Sequence, residues 1–220
     1  MPRGRYSLHD PHDRTRLAEE RFQCAPGPSG WRYSAQLSTA SGDPYGAVDL
    51  TVDRLWRPIR LELQARGWQV RGAALNGVTW VRTDAGGMHA REGNAHAPAF
   101  SGNSPAFLVT TARLLGLTPS APSGRIRLVA FTEPVLAPRT VDQDWTLLNS
   151  RSHPTDSGPL IVREYRVTDL STGESGSVHL SGDVVLAAPG VELEELESPP
   201  STLTETGSEE GPAADGDDPR

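Results

Sequence analysis

The chain has 220 residues, of which 36% are hydrophobic, with 22 glycines, 19 prolines, a single cysteine and a formal net charge of −7. One cysteine excludes an intrachain disulfide and a multi-cysteine zinc cluster. No run of 18 apolar residues is present, which excludes a membrane-crossing helix, and the absence of lysine excludes Schiff-base and Walker-lysine chemistry.

The charge is unevenly placed. Residues 191–220 carry ten acids against one arginine, whereas residues 1–190 carry eighteen acids and twenty arginines. The body is therefore near neutral and offers no concentrated basic face, so no nucleic-acid partner is expected. No integral membrane association and no secretory signal are expected either, because Met1-Pro2-Arg3-Gly4-Arg5 has no apolar stretch behind it. The lone cysteine fits a cytoplasmic, reducing setting.

In chain order, residues 1–30 read as a flexible, charged arm with one short helix around Arg14 to Phe22. The pairs His9-Asp10 and His12-Asp13 are too local for a closed metal site, and Cys24 reads as a small apolar residue. From Trp31 the pattern alternates. Trp31–Leu37, Ala47–Asp53, Ile59–Leu63 and Trp68–Arg71 read as strands, with Gly42-Asp43-Pro44 and Arg66-Gly67 as turns. Asn76-Gly77 signals a two-residue hairpin leading into Val78–Val81. Five such strands make an antiparallel meander.

Residues 83–103 are rich in Gly, Ala, Asn and His and read as one long loop. His89, Glu92 and His96 within it do not match the zincin spacing. Ser104 then caps a helix, Pro105 suits its first position, and Gly116 stops it. Strands resume at Arg125–Phe131, with a short bent piece Val135–Ala137 and a further strand Gln143–Leu148. A polar loop is expected over 149–159. Leu160–Val167, Ser177–Leu180 and Val184–Leu186 complete the strands, and the ordered body should end near Gly190. Beyond Ser198 the chain is mostly Pro, Ser, Thr, Glu, Gly and Asp, a composition that cannot offset its ordering entropy.

The chain resembles the glycolipid-binding family in an ordered set of segments. These are Val52-Asp53-Arg54-Leu55-Trp56-Arg57 followed by Ile59-Arg60-Leu61, and Asn76-Gly77-Val78-Thr79-Trp80. Next come Ser104-Pro105 leading to Arg113-Leu114-Leu115-Gly116-Leu117, and Phe131-Thr132-Glu133-Pro134-Val135-Leu136 with Gln143-Asp144-Trp145. Tyr165 and Asp183-Val184-Val185-Leu186-Ala187-Ala188-Pro189-Gly190-Val191 close the set. Leu108 and Thr111 stand where the family's helix has asparagine and a second proline, and Ala188 where it has tyrosine.

The resemblance implies a mainly β fold like the bacterial lipoprotein carriers. That fold is a strongly curved antiparallel sheet or incomplete β-barrel of about ten strands, with one helix packed in its concave face. The domain would span 31–193, between the arm 1–30 and a disordered acidic tail 194–220. The implied function is binding or carrying a hydrophobic or amphipathic small molecule, glycolipid-like, in the cavity of the sheet, with no cofactor and no metal. A cavity enzyme of cyclase or isomerase type and a protein-interaction module, the latter with the acidic tail or the loop 83–103 as its partner-binding segment, are the other readings. No catalytic motif points to the enzyme.

Each candidate binding residue carries two readings. Trp56 and Trp80 line the cavity or pack in the core. Arg57 and Arg113 hold an anionic head group by bidentate hydrogen bonds, or pair with a local carboxylate, Asp53 in the case of Arg57. Phe107 and Leu108 close the cavity from the helix or serve as core. Trp145 and Tyr165 carry the same two readings on their strands.

Overall fold

The computed structural model describes residues 1–155 and 158–203. Among them are fifteen strands and one helix. The first nine strands are β1 (Arg3–His9), β2 (Arg16–Gly27), β3 (Gly30–Thr39), β4 (Pro44–Asp53), β5 (Pro58–Ala65), β6 (Trp68–Ala74), β7 (Val78–Asp84), β8 (Ala90–Ala95) and β9 (Ala99–Ser101). The helix α1 (Pro105–Leu115) follows. Then come β10 (Ser123–Thr132), β11 (Ala137–Thr155), β12 (Gly158–Asp169), β13 (Ser175–Ser181), β14 (Val184–Ala188) and β15 (Val191–Leu196).

All fifteen strands belong to one sheet, ordered β8-β7-β6-β5-β4-β3-β2-β1-β15-β14-β13-β12-β11-β10-β9. Every pair is antiparallel except β9 with β10. The sheet curls until its two ends meet through side chains. Trp80 on β7 lies 6.0 Å from Phe131 on β10, and Arg82 Nη1 donates to the Val135 carbonyl at 3.0 Å. No backbone ladder joins β8 to β9, so the curl is not closed into a barrel.

Alternation builds the concave core. Tyr33, Ala35 and Leu37 on β3, Val48, Leu50 and Val52 on β4, and Leu61 and Leu63 on β5 are all buried. The turns carry the residues their geometry requires. Arg66 and Gly67 both have positive φ (49° and 78°) in the two-residue loop between paired Ala65 and Trp68.

Inside the curl sits α1. The Ser104 hydroxyl accepts from Ala106 N at 3.4 Å, Pro105 opens the first turn, and Gly116 closes it in the left-handed region at φ 56°. Phe107, Val109 and Ala112 are buried, and so are Thr110 and Thr111. A helix buried nearly all round is what a concave sheet enclosing it demands.

Several sequence expectations are corrected. The count is fifteen strands rather than about ten. The arm 1–30 holds β1, β2 and the start of β3. On β2 the inward residues are Ala18, Glu20, Phe22 and Cys24, while Glu19 and Arg21 face out and pair with each other at 2.9 Å. A carboxylate on the inward face disguises the alternation, so the segment reads as polar. His9-Asp10 and His12-Asp13 form the β1–β2 turn, where Asp10 accepts from His12 N at 2.8 Å.

The loop 83–103 instead contains β8 and β9. Gly93 gives the run its loop-like look, yet the Trp80 indole occupies the space its Cβ would need. The expected loop 149–159 is the far end of β11 and the start of β12, with Ser150 facing Arg163 and Pro154 facing Pro159. Both faces of this ribbon near its tip are exposed, so no alternation marks it. Val135 lies in the β10–β11 turn rather than on a strand of its own. The ordered body runs past Gly190 through β15, and beyond it Ser201 N bonds Asp183 while residues 199–203 line a cavity, so disorder begins neither at residue 194 nor directly after Ser198. Most of the expected disordered tail, residues 204–220, lies outside the described residues.

Candidate ligand-binding cavity

Between α1 and one end of the curled sheet lies an open cavity of about 760 Å³. Its apolar walls include Leu8 (β1), Ala18 (β2), Val167 (β12), Val178 (β13), Ala188 (β14), Val191 (β15) and Leu108 (α1). Each strand contributes because alternation turns every second side chain inward. Gly102 and Asn103, just ahead of the helix cap, form part of the same wall. Polar and charged groups ring the mouth: His9, His12, Arg66, Glu133, Asp169 and Glu174.

Behind the wall is a buried polar cluster. Ala18 lines the cavity, and Glu20, the next residue on that face of β2, has no exposed surface. Its Oε1 accepts from the Tyr33 hydroxyl at 2.6 Å and from the Ser104 hydroxyl at 2.7 Å, while Oε2 has no partner. Burial raises the Glu20 pKa from 4.5 to about 7, against the lowering effect of those two hydrogen bonds. Ser104 thereby has two roles, capping α1 and tying it to β2. Nearby, the Tyr6 hydroxyl accepts from Val185 N at 3.1 Å.

A second polar knot lies at the β13–β14 turn. Buried Asp183 accepts from Trp31 Nε1 at 3.1 Å and from Ser201 N at 2.8 Å. The Cys24 thiol lies 3.7 Å from the Asp183 carbonyl, and burial pushes that thiol's pKa up. Cys24 is thus a protonated, packed residue rather than a nucleophile. Beside this knot is a smaller cavity of about 310 Å³, lined by Arg113, Arg163, Tyr165 and the 199–203 segment.

The structure divides the residues expected to bind. Leu108 lines the large cavity. Arg113 and Tyr165 line the small one, where Arg113 Nη2 donates to the Gly182 carbonyl at 2.7 Å and its guanidinium lies 5.9 Å from the Trp56 ring. Burial, and then the like charge of Arg163, lower the Arg113 pKa. Trp56 also packs on Trp31 at 5.5 Å. Arg57 pairs with Asp53 at 2.6 Å, and the same carboxylate accepts from Leu55 N and Arg57 N. Its charge staples the β4–β5 turn. Phe107 is core, and Trp80 packs between Gly93 and Phe131. Trp145 is fully buried 5.7 Å from Tyr165 and donates to Gln143 Oε1 at 2.9 Å, fixing a side chain that does line the large cavity.

Sequence reading missed Leu8, Ala18, Tyr45, Arg66, Asp169 and Glu174 as cavity residues, and Glu20 and Asp183 as buried polar centres. Glu20 sat in a stretch read as an arm. Rim residues such as Arg66 and Glu174 sit at turns, where residue type follows backbone geometry and carries no pattern of its own.

The sequence matches no known protein family and no curated protein. Among solved structures, a DUF1089 family protein from Pseudomonas aeruginosa is similar in fold, with a TM-score of 0.55 and 18% identity. The match covers 80% of this chain and 92% of that one. At this identity the likeness concerns the fold alone. None of the helices among the described residues is long and apolar enough to cross a membrane.

Proposed function

We propose that this protein binds or carries a hydrophobic or amphipathic small molecule, glycolipid-like in joining an apolar chain to a polar head, in the large cavity of its curved sheet. The observation that carries the reading is the cavity itself. Its volume of about 760 Å³ lies inside the range of about 300–1,000 Å³ typical of small-molecule sites. Its lining combines aliphatic side chains such as Leu8, Val178 and Leu108 with polar and charged ones such as Arg66, Asp169 and Glu174, which suits a molecule with one apolar and one polar end.

Native mass spectrometry and organic extraction of the purified protein test this. A co-purifying hydrophobic molecule, or binding of dodecyl maltoside added to delipidated protein, is the expected result. Leu108→Trp fills the cavity from the half-buried face of α1 and should abolish that binding with little change in melting temperature. An empty protein that takes up no alkyl probe, or a Leu108→Trp variant that binds undiminished, would sink the proposal.

A further inference from the structure

We propose that the large cavity selects an amphiphile with a cationic head, an ammonium or amine, over one with an anionic head. The inference rests on the cavity reading above and names the class of its occupant. It reverses the expectation that arginines hold an anionic group, because the structure brings neither Arg57 nor Arg113 to this cavity.

Among the described residues lining the cavity, Arg66 is the single arginine, and its charge is already engaged. Arg66 Nε lies 3.1 Å from Glu133 Oε2, and the guanidinium sits 4.9 Å from the centroid of the Tyr45 ring. Two further carboxylates remain at the mouth, Asp169 and Glu174. They stand on the two sides of the β12–β13 turn, where Asp169 N donates to the Glu174 carbonyl at 2.9 Å. Neither forms an ion pair among the described residues. Asp169 Oδ1 accepts from Ser171 N at 2.8 Å and from the Ser171 hydroxyl, contacts that hold its charge in place. Arg139 acts on Asp169 only as the weakest of the influences on it, and does not line the cavity.

The remaining polar lining groups, among them Gln143, Asn103 and Ser175, are uncharged, and His9 and His12 carry no negative charge. Two negative charges are then in excess at the mouth of an apolar cavity, whose low-dielectric walls concentrate their field. A cationic head placed there is attracted, and an anionic head meets like charge as its tail enters.

The test compares heads on one tail. Binding of dodecyltrimethylammonium and of dodecanoate to the full chain, each below its micelle threshold, is measured by titration calorimetry at pH 7.5 and low salt. The ammonium should bind tighter by at least about threefold, a margin typical of partly screened charges. The gap should close in the double variant Asp169→Asn, Glu174→Gln, whose unchanged melting temperature would show that the fold is intact. Asparagine keeps an oxygen for the Ser171 bonds. Dodecanoate binding as tightly as the ammonium, or a gap that survives in the double variant, would overturn the head-group inference while leaving the cavity reading standing. Failure of both probes and of dodecyl maltoside would overturn the two together.

Discussion

At the scale of single residues, Glu20 is a costly group to ionise within the core. A carboxyl with no exposed surface and an unpartnered Oε2 resists ionisation, which is why its pKa rises from 4.5 to about 7. The folded protein therefore binds this proton more tightly than the unfolded chain does. The contribution is fully present below pH 4.5 and is lost as pH rises through 7, amounting to about 3 kcal/mol by pH 8. Glu20→Gln removes it. Denaturant unfolding at pH 4.5 and pH 8 should show the variant's stability relative to the native chain improving by about that amount between the two. A difference that does not change with pH would mean that Glu20 is ionised at little cost. Asp183 is a buried acid whose two oxygens each have a hydrogen-bond partner. Asp183→Ala orphans Trp31 Nε1 and Ser201 N and should cost about 2–4 kcal/mol in the same measurement.

At the scale of elements, legibility followed the consistency of alternation. Strands β3 to β7 were readable because one face is aliphatic and the other charged or polar. The helix was readable from its end signals Ser104, Pro105 and Gly116 together with the apolar surface of Phe107, Leu108, Val109, Ala112, Leu114 and Leu115. Strand β2 was hidden because Glu20 faces the core, and β8 because Gly93 leaves room for a ring that belongs to another strand. A pattern read along the chain cannot register a neighbour that lies across the sheet. Gly93 supplies a direct check. Gly93→Val should push the Trp80 indole from its seat against Phe131, lowering stability by about 1–3 kcal/mol and changing the tryptophan fluorescence. If neither changes, β8 does not pack on that ring. The cavity was legible only in outline. Its existence was implied by the family resemblance alone, and its lining brings together strand residues such as Leu8 with turn residues such as Arg66 and Glu174, which lie far apart in the chain.

At the scale of the whole molecule, the end of the described chain is part of the fold. Segment 199–203 lines the small cavity, Ser201 N bonds Asp183, and the Ser201 carbonyl occupies the space a Cβ on Gly182 would need. Truncation after Leu203 removes an acidic stretch whose composition gives it little apolar surface to bury, and the melting temperature should stay the same. Truncation after Glu197 strips the segment from Asp183 and should lower it by several degrees. Equal melting temperatures for the two truncations would show that the segment adds nothing to the fold.

The pairing of β1 with β15 sets Gly4 against Leu196, so the first and last strands among the described residues meet in the middle of the sheet. During synthesis β1 therefore presents an unpaired edge through the making of every other strand, and the two halves of the sheet have no ladder between them until residues 191–196 exist. Such an edge is a template for a strand from another chain. The chain is exposed to mispairing at its future midline from the making of β1 until that of β15, and β15 acts as the clasp that ends that exposure.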